Sequence, residues 1–283
     1  MRLPRERHGF GPRGAGDRLG LNQMTVPGWT VRQAVEGCAR HGIRYIGLWR
    51  EPVAASGVEA SARAARDAGV AVSSLCRGGW FPAATEAERR RRIDDCRRAL
   101  EEAHGLGTDT LVLVCGPAPD RNLDGARRMV ERAVAALLPE AAACGVRLAI
   151  EPLHPMFAAD RSVITTLDEA VALAERFSAA GVGVIADAYH IWWDPAVYAA
   201  IERAGPRILG FHVSDWITPL PDVLFGRGMM GDGVIELRRL RRAVDAAGYA
   251  GPIEVEIFNR AVHAMPGDDV LALLRARYAE HVA

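Results

Sequence analysis

Apolar residues along this chain fall into short unbroken runs, each set off from the next by a longer amphipathic segment. The recurring unit is a helix-like stretch with small apolar residues, then a glycine, then a β-rich run. It reads ARHGIRYIGLW, ARDAGVAVSSL, EEAHGLGTDTLVLV, AAACGVRLAIE, SAAGVGVIAD, ERAGPRILGFHV and DAAGYAGPIEVEI. The glycines Gly42, Gly69, Gly105, Gly145, Gly181, Gly205 and Gly248 suit the left-handed position that ends a helix and returns the chain to a strand. Adding Leu19 to Met24 gives eight strands, at about 19–24, 44–49, 70–75, 110–115, 147–151, 182–187, 207–213 and 252–257. Runs this short and this apolar read as strands buried on both faces.

Eight strand–helix units predict an α/β fold, a single (β/α)8 TIM barrel over residues 17–283, close to the typical length of about 250 residues. A doubly wound open sheet is the competing architecture. It calls for a phosphate-binding glycine fingerprint after the first strand, and Leu19 to Gly28 has none. Thr85 and Glu88 form a candidate capping box for the helix after the third strand. The Arg89–Arg92 run within that helix reads as a solvated face. The longest irregular stretch, Trp216 to Gly233, follows the seventh strand and is a candidate lid.

Chemistry in a barrel of this kind sits at the C-terminal ends of the strands, and four consecutive strands here end in polar groups. Glu151 closes RLAIE, Asp187 closes VGVIAD, His212 lies in ILGFHV and Glu256 in PIEVEIF. A carboxylate at the end of a buried strand costs several kcal/mol unless it is paired or metal-bound. Taken singly, Glu151 fits an ion pair with an arginine and His212 fits a satisfied core histidine. Taken together, three carboxylates and an imidazole make a hard, oxygen-rich site. That set selects Mn²⁺, Mg²⁺ or Co²⁺ more readily than a structural zinc. Glu254 competes with Glu256 for the eighth-strand position, since alternation puts both on one face. Asp215 reads as orienting His212 or a nearby loop.

Composition narrows the possibilities. The formal net charge of the 283 residues is zero, and all 35 Lys+Arg positions are arginine. No lysine is present to form a Schiff base, which excludes lysine-dependent aldolases and pyridoxal chemistry; no organic cofactor is expected. Neutral charge argues against a nucleic-acid track or an anionic membrane surface. The five cysteines are scattered, without a C-x-x-C pair, as expected of buried thiols in the cytoplasm. No apolar run reaches membrane-spanning length. Residues 1–16, basic and rich in Gly and Pro, read as a mobile tail and not a secretory signal.

The motifs IEPLHP, ADAYHIWW, FHVSDW and VEIF, in this order, resemble the xylose isomerase-like sugar isomerase/epimerase superfamily, which includes ketose 3-epimerases, hydroxypyruvate isomerase and inosose-processing enzymes. The likeness runs from about Leu19 to the C-terminal helix. It implies that Glu151, Asp187, His212 and Glu256 ligate one divalent metal, commonly Mn²⁺. It implies that Glu151 and Glu256 are the catalytic pair that moves the substrate proton. His190, Arg227 and His154 would contact the substrate, a small carbohydrate. Trp49, Trp80 and Trp216, at other strand ends, would shape the pocket, and Arg50, Arg77 or Arg227 could grip an anionic group. A homodimer is compatible with such barrels.

The expected activity is metal-dependent isomerisation or epimerisation of a small sugar, keto-sugar or cyclitol. A lyase, acting on a keto-acid or an oxidised glycoside, would use the same site. A nuclease like endonuclease IV is remote, because the second, third and fourth strands end without the histidines a metal cluster needs.

Overall fold

The computed structural model describes residues 18–283; the tail expected at 1–16 lies outside them. Eight parallel strands close into a barrel: β1 (Leu19–Asn22), β2 (Tyr45–Trp49), β3 (Ala71–Gly79), β4 (Thr110–Val114), β5 (Arg147–Glu151), β6 (Val182–Asp187), β7 (Ile208–Val213) and, last in the chain, β10 (Ile253–Val255). Each pairs with its chain neighbour, and β10 closes the ring against β1 through Leu19–Ile253 and Leu21–Val255. Two short strands, β8 (Asp215–Trp216) and β9 (Arg227–Gly228), form a separate antiparallel ribbon above the seventh strand.

The strand period of two sorts each run between two cores. On β5, Leu148 and Ile150 face the helices and Ala149 the barrel axis. On β6, Val182, Val184 and Ala186 pack outward and Ile185 inward. Cys76, Val112, Ala149, Ile185 and Leu209 fill the barrel interior. The same parity carries Glu151 and Asp187 inward; on β7 a register shift at Leu209 brings Gly210 and His212 to the axis, paired with Ile185 and Asp187. Their strands therefore hand polar groups to the axis because the residues two positions earlier already face it.

The outer layer holds α1 (Val31–Arg40), α2 (Arg50–Ser56), α3 (Val58–Asp67), α4 (Glu86–Leu106), α5 (Leu123–Cys144), α6 (Leu167–Ala174), α7 (Ala188–Ile191), α8 (Val197–Ala204), α9 (Leu237–Ala246), α10 (Arg260–His263) and α11 (Gly267–His281). Thr85 caps α4 by accepting from the Glu88 amide, but Glu88 pairs with Arg92 instead of returning to close the box. Thr30 and Gln33 form the complete box, on α1. The arginine run on α4 is paired rather than free: Arg90 meets Glu86, and Arg92 also donates to the Trp80 and Pro82 carbonyls.

Two helix ends differ from expectation: α6 stops at Ala174, seven residues before Gly181, which does not take the left-handed conformation. The left-handed residue that stops α4 is Gly107, φ 82°, and not Gly105. Leu106 is buried, so the helix continues until that side chain is delivered. Gly105 serves packing: a Cβ there would lie 2.6 Å from Val58 Cγ1 on the adjacent helix α3.

Glycine has a different use at Gly47. A Cβ on this β2 residue would overlap the Glu254 carboxylate inside the barrel. Gly47→Ala is expected to destabilise the protein by about 1–3 kcal/mol, the usual range for overpacking a filled interior. Chemical denaturation measures this directly, and an unchanged unfolding midpoint would mean that the carboxylate moves aside freely.

Candidate active site at the mouth of the barrel

β5, β6 and β7 end side by side, and Asp187 pairs in register with His212. Donor atoms of Glu151, Asp187 and His212 all lie within 4.8 Å of one another, and all three residues are buried. His212 Nδ1 is 3.3 Å from Glu151 Oε1. Both ring nitrogens of His212 lack a hydrogen-bond partner. A buried imidazole with two unsatisfied nitrogens is costly, and an ion among these donors would use one of them. The residues fit a divalent cation.

Glu256, the fourth expected ligand, lies just beyond β10. Its Oε2 accepts from Arg227 Nη1 at 2.7 Å, so it stands apart from the three converging groups. The same guanidinium nitrogen is 3.1 Å from Asp187 Oδ2. Arg227 is only 6% exposed and lies over the rings of Tyr189 and Phe258. A buried cation thus bridges two of the four expected ligands.

The segment that brings Arg227 in is more ordered than the sequence suggests. Trp216 to Gly233 contains the β8–β9 ribbon, and Asn259 Nδ2 donates to the Arg227 carbonyl at 2.9 Å. Asp215 accepts from the amides of Trp216, Gly231 and Ile235. The expected role of Asp215 is therefore resolved in favour of the loop.

His190 begins one turn after Asp187, on α7. Its Nδ1 accepts from the His154 amide at 3.1 Å, which leaves the proton of the neutral ring on Nε2. Burial, helped by Arg227 and opposed by Asp187, pushes its pKa down to about 3, so the ring is neutral at working pH. Nε2 is 3.0 Å from Arg227 Nη2. In that tautomer two donors face one another, and an acceptor oxygen between them would satisfy both.

The aromatic positions gather around this floor. Trp216 packs on His154 and Tyr189, with centroids 4.9 Å apart in each case. Trp80 lies under the Arg77 guanidinium, 4.3 Å from the ring centre. Trp49 donates Nε1 to Asn22 Oδ1 at 2.9 Å. Arg50 does not reach a substrate position: Asp95 and Glu102 on α4 hold it in ion pairs.

Sequence reasoning missed Tyr189, whose buried hydroxyl has no partner, and the inward-facing Asn22, Ser73 and Ser74. Asn22 was within reach, because a polar residue ends the first strand on the same parity as Gly20. Nothing in AVSSL distinguishes Ser73 and Ser74 from ordinary strand residues.

The crowding of carboxylates sets the protonation states. Burial lowers the pKa of His212, but Glu254, Glu151 and Glu256 outweigh it and hold it up at about 10. Burial pushes Glu256 up to about 7, against the pull of Arg227 and His212. Burial would raise Asp187 too, but Arg227, His190 and His212 bring it below the usual carboxylate value.

These shifts fix how stability depends on pH when divalent ions are chelated. The His212 contribution is complete below its unfolded value of 6.5 and is lost as pH rises through about 10. The Glu256 contribution is complete below 4.5 and is lost through about 7. His190, lowered to about 3, works the other way and adds stability as pH rises to 6.5, so the melting temperature in EDTA is expected to fall from pH 7 to pH 10; a flat or rising profile over that range would contradict these assignments. Arg227→Met is expected to cost about 3–5 kcal/mol under the same conditions, because it strands two buried carboxylates. Comparing unfolding free energies of the two proteins checks this.

Comparison with known proteins agrees with this architecture. Residues 35–277 match the profile of the xylose isomerase-like TIM barrel family. The curated relatives are 3-dehydroshikimate dehydratases: that of Pseudomonas aeruginosa is 31% identical over 190 residues, 62% of this chain. The match spans 27% of that protein's length, and 31% of its Pseudomonas putida counterpart's, so the chain corresponds to under a third of each. Among solved structures, protein SMc04130 of Sinorhizobium meliloti is 46% identical with a TM-score of 0.92, covering 94% of this chain and 99% of that one. The zinc-bound IolI protein (18% identical, TM-score 0.81, coverage 94% and 98%) and a D-psicose 3-epimerase crystallised in the presence of D-fructose (17%, 0.77, 93% and 97%) share the fold. Among the described residues no helix is long and apolar enough to cross a membrane. With a closed eight-stranded parallel barrel and a profile match across most of its length, this chain belongs to the xylose isomerase-like TIM barrel family.

Proposed function

We propose that this protein is a divalent-metal-dependent isomerase or epimerase of a small sugar, keto-sugar or cyclitol. The observation that carries the reading is the convergence of Glu151, Asp187 and His212 on one point, with both His212 nitrogens unsatisfied. Those three would hold the ion, with Glu256 joining them as Arg227 moves off. Two or three carboxylates and one imidazole suit Mn²⁺, with Mg²⁺ and Co²⁺ as alternatives. The zinc in the IolI crystal adds zinc to the candidates. Once bound, the ion supplies Lewis-acid polarisation of a carbonyl and its neighbouring hydroxyl.

The remaining work falls to side chains. Glu256, pushed up to about 7 by burial in the ion-free site, is a carboxylate at the substrate's edge that can take or give a proton. Glu151 is its partner on the other side of the substrate. Return of the proton to the opposite face gives an epimer, and return to the adjacent carbon gives an aldose–ketose isomer. His190 Nε2–H and the Arg227 guanidinium are two donors aimed at one place, suited to a substrate oxygen that gains negative charge. His154, Trp49, Trp80 and Trp216 form an aromatic wall for the C–H faces of a ring.

A second reading keeps this first step and ends in loss of a β-hydroxyl, as in a keto-acid dehydratase. The sequence similarity to the 3-dehydroshikimate dehydratases favours it. Incubation with Mn²⁺ and a panel of ketoses and inososes in D2O should introduce deuterium next to a carbonyl. The same assay on 3-dehydroshikimate reads a product lighter by one water. Deuterium uptake without loss of water supports the isomerase; loss of water supports the lyase; neither on any substrate contradicts both. Glu151→Gln and Glu256→Gln are each expected to lower kcat on the active substrate by about 10²–10⁴-fold. Unchanged turnover in either variant would remove that residue from the proton path.

A further inference from the structure

Glu254 belongs to no part of the mechanism above, yet it is 3% exposed in the barrel interior. The chain has built a cradle for it. Asn22 Nδ2, Ser73 Oγ and Ser74 Oγ donate to its carboxylate at 3.1, 2.8 and 2.7 Å. Asn22 is itself aimed by Trp49 Nε1, and Gly47 leaves out the side chain that would fill the same space. Five residues on three other strands thus fix one carboxylate beneath the mouth of the barrel.

The cradle leaves Oε2 facing His212. Glu254 and His212 are in register on adjacent strands, and Oε2 is 3.6 Å from His212 Nε2. The other nitrogen, Nδ1, points the opposite way, 3.3 Å from Glu151 Oε1. The imidazole therefore stands between a carboxylate of the candidate metal centre and one that lies outside it. A histidine whose far nitrogen donates to a carboxylate has its tautomer fixed and its near nitrogen made more basic.

We propose that Glu254 is a positioning residue for the metal centre. Its carboxylate accepts the Nε2 proton of His212 and so directs the Nδ1 lone pair at the ion. The 3.6 Å separation is within a small ring rotation of a hydrogen bond, which a bound ion on Nδ1 would favour. This rests on the metal-binding reading of Glu151, Asp187 and His212. It also accounts for a second carboxylate two residues from Glu256: IEVEIF supplies one group to the reaction and one to support a ligand.

The test combines two measurements. Calorimetric titration of EDTA-stripped protein with Mn²⁺ should show Glu254→Gln binding about 10–100-fold more weakly than wild type. Long-range ¹H–¹⁵N spectra of wild-type protein labelled at histidine and loaded with Zn²⁺ should show His212 protonated at Nε2 and ligated through Nδ1. A purely structural Glu254 would lower the melting temperature without moving either readout. Wild-type affinity in a folded Glu254→Gln, or a spectrum with the proton on Nδ1, overturns the proposal. Should Glu254→Gln fail to fold, the Ser73→Ala/Ser74→Ala double variant, which loosens the cradle, replaces it with a smaller loss expected and unchanged affinity counting against. Wild-type protein that takes up no ion defeats the metal reading itself, an outcome distinct from unchanged affinity in the variant.

Discussion

Four carboxylates are held inside one barrel: Glu151, Asp187, Glu254 and Glu256, each 6% exposed or less. Among the described residues, the buried cationic groups in contact with them are Arg227 and His212. Desolvating each carboxylate costs several kcal/mol unless positive charge or donors offset it. Glu254 is satisfied by an amide and two hydroxyls. The other three share one guanidinium and one imidazole, and their protonation reflects the shortage: Glu256 drifts up to about 7 and His212 to about 10. A divalent ion held by Glu151, Asp187 and His212 would offset this imbalance, and those three donors are brought together by the strands before any loop is considered.

Arg227 is the hinge between charge balance and substrate binding. Its guanidinium bridges Asp187 and Glu256 while facing the Nε2 proton of His190, an arrangement satisfied on one side and opposed on the other. An ion bound by Asp187 and Glu256 would free Arg227 for an acceptor oxygen that serves both it and His190. The β8–β9 ribbon, fastened through Asn259 and Asp215, keeps that movement short. The lid is therefore better described as a tethered arm that carries one charge.

The barrel could be read from the sequence because its signal is redundant. Eight runs alternate with helices, and parity errors in one strand would have broken the row of polar ends at Glu151, Asp187 and His212. The third strand was the exception: β3 continues to Gly79, through a register shift near Cys76 that no apolar pattern announces. The end of α4 was misplaced because HGLG offers two glycines and only the burial of Leu106 chooses between them. Ligand candidates were legible because a charged residue after a buried run is conspicuous. Their supports were not. Asn22, Ser73, Ser74 and Gly47 converge on Glu254 from strands far apart in sequence, and only closure of the barrel brings them together. The pairing of Arg227 with Glu256 was equally hidden, since it depends on how an apparently irregular loop folds back.

The most direct test of the central claim is anomalous diffraction at the manganese absorption edge from crystals grown with Mn²⁺. A single peak within bonding distance of Glu151, Asp187, His212 and Glu256, with the Arg227 guanidinium withdrawn from Glu256, is the expected result. A barrel mouth without an anomalous peak at saturating Mn²⁺, and Arg227 still bridging Asp187 and Glu256, would contradict it.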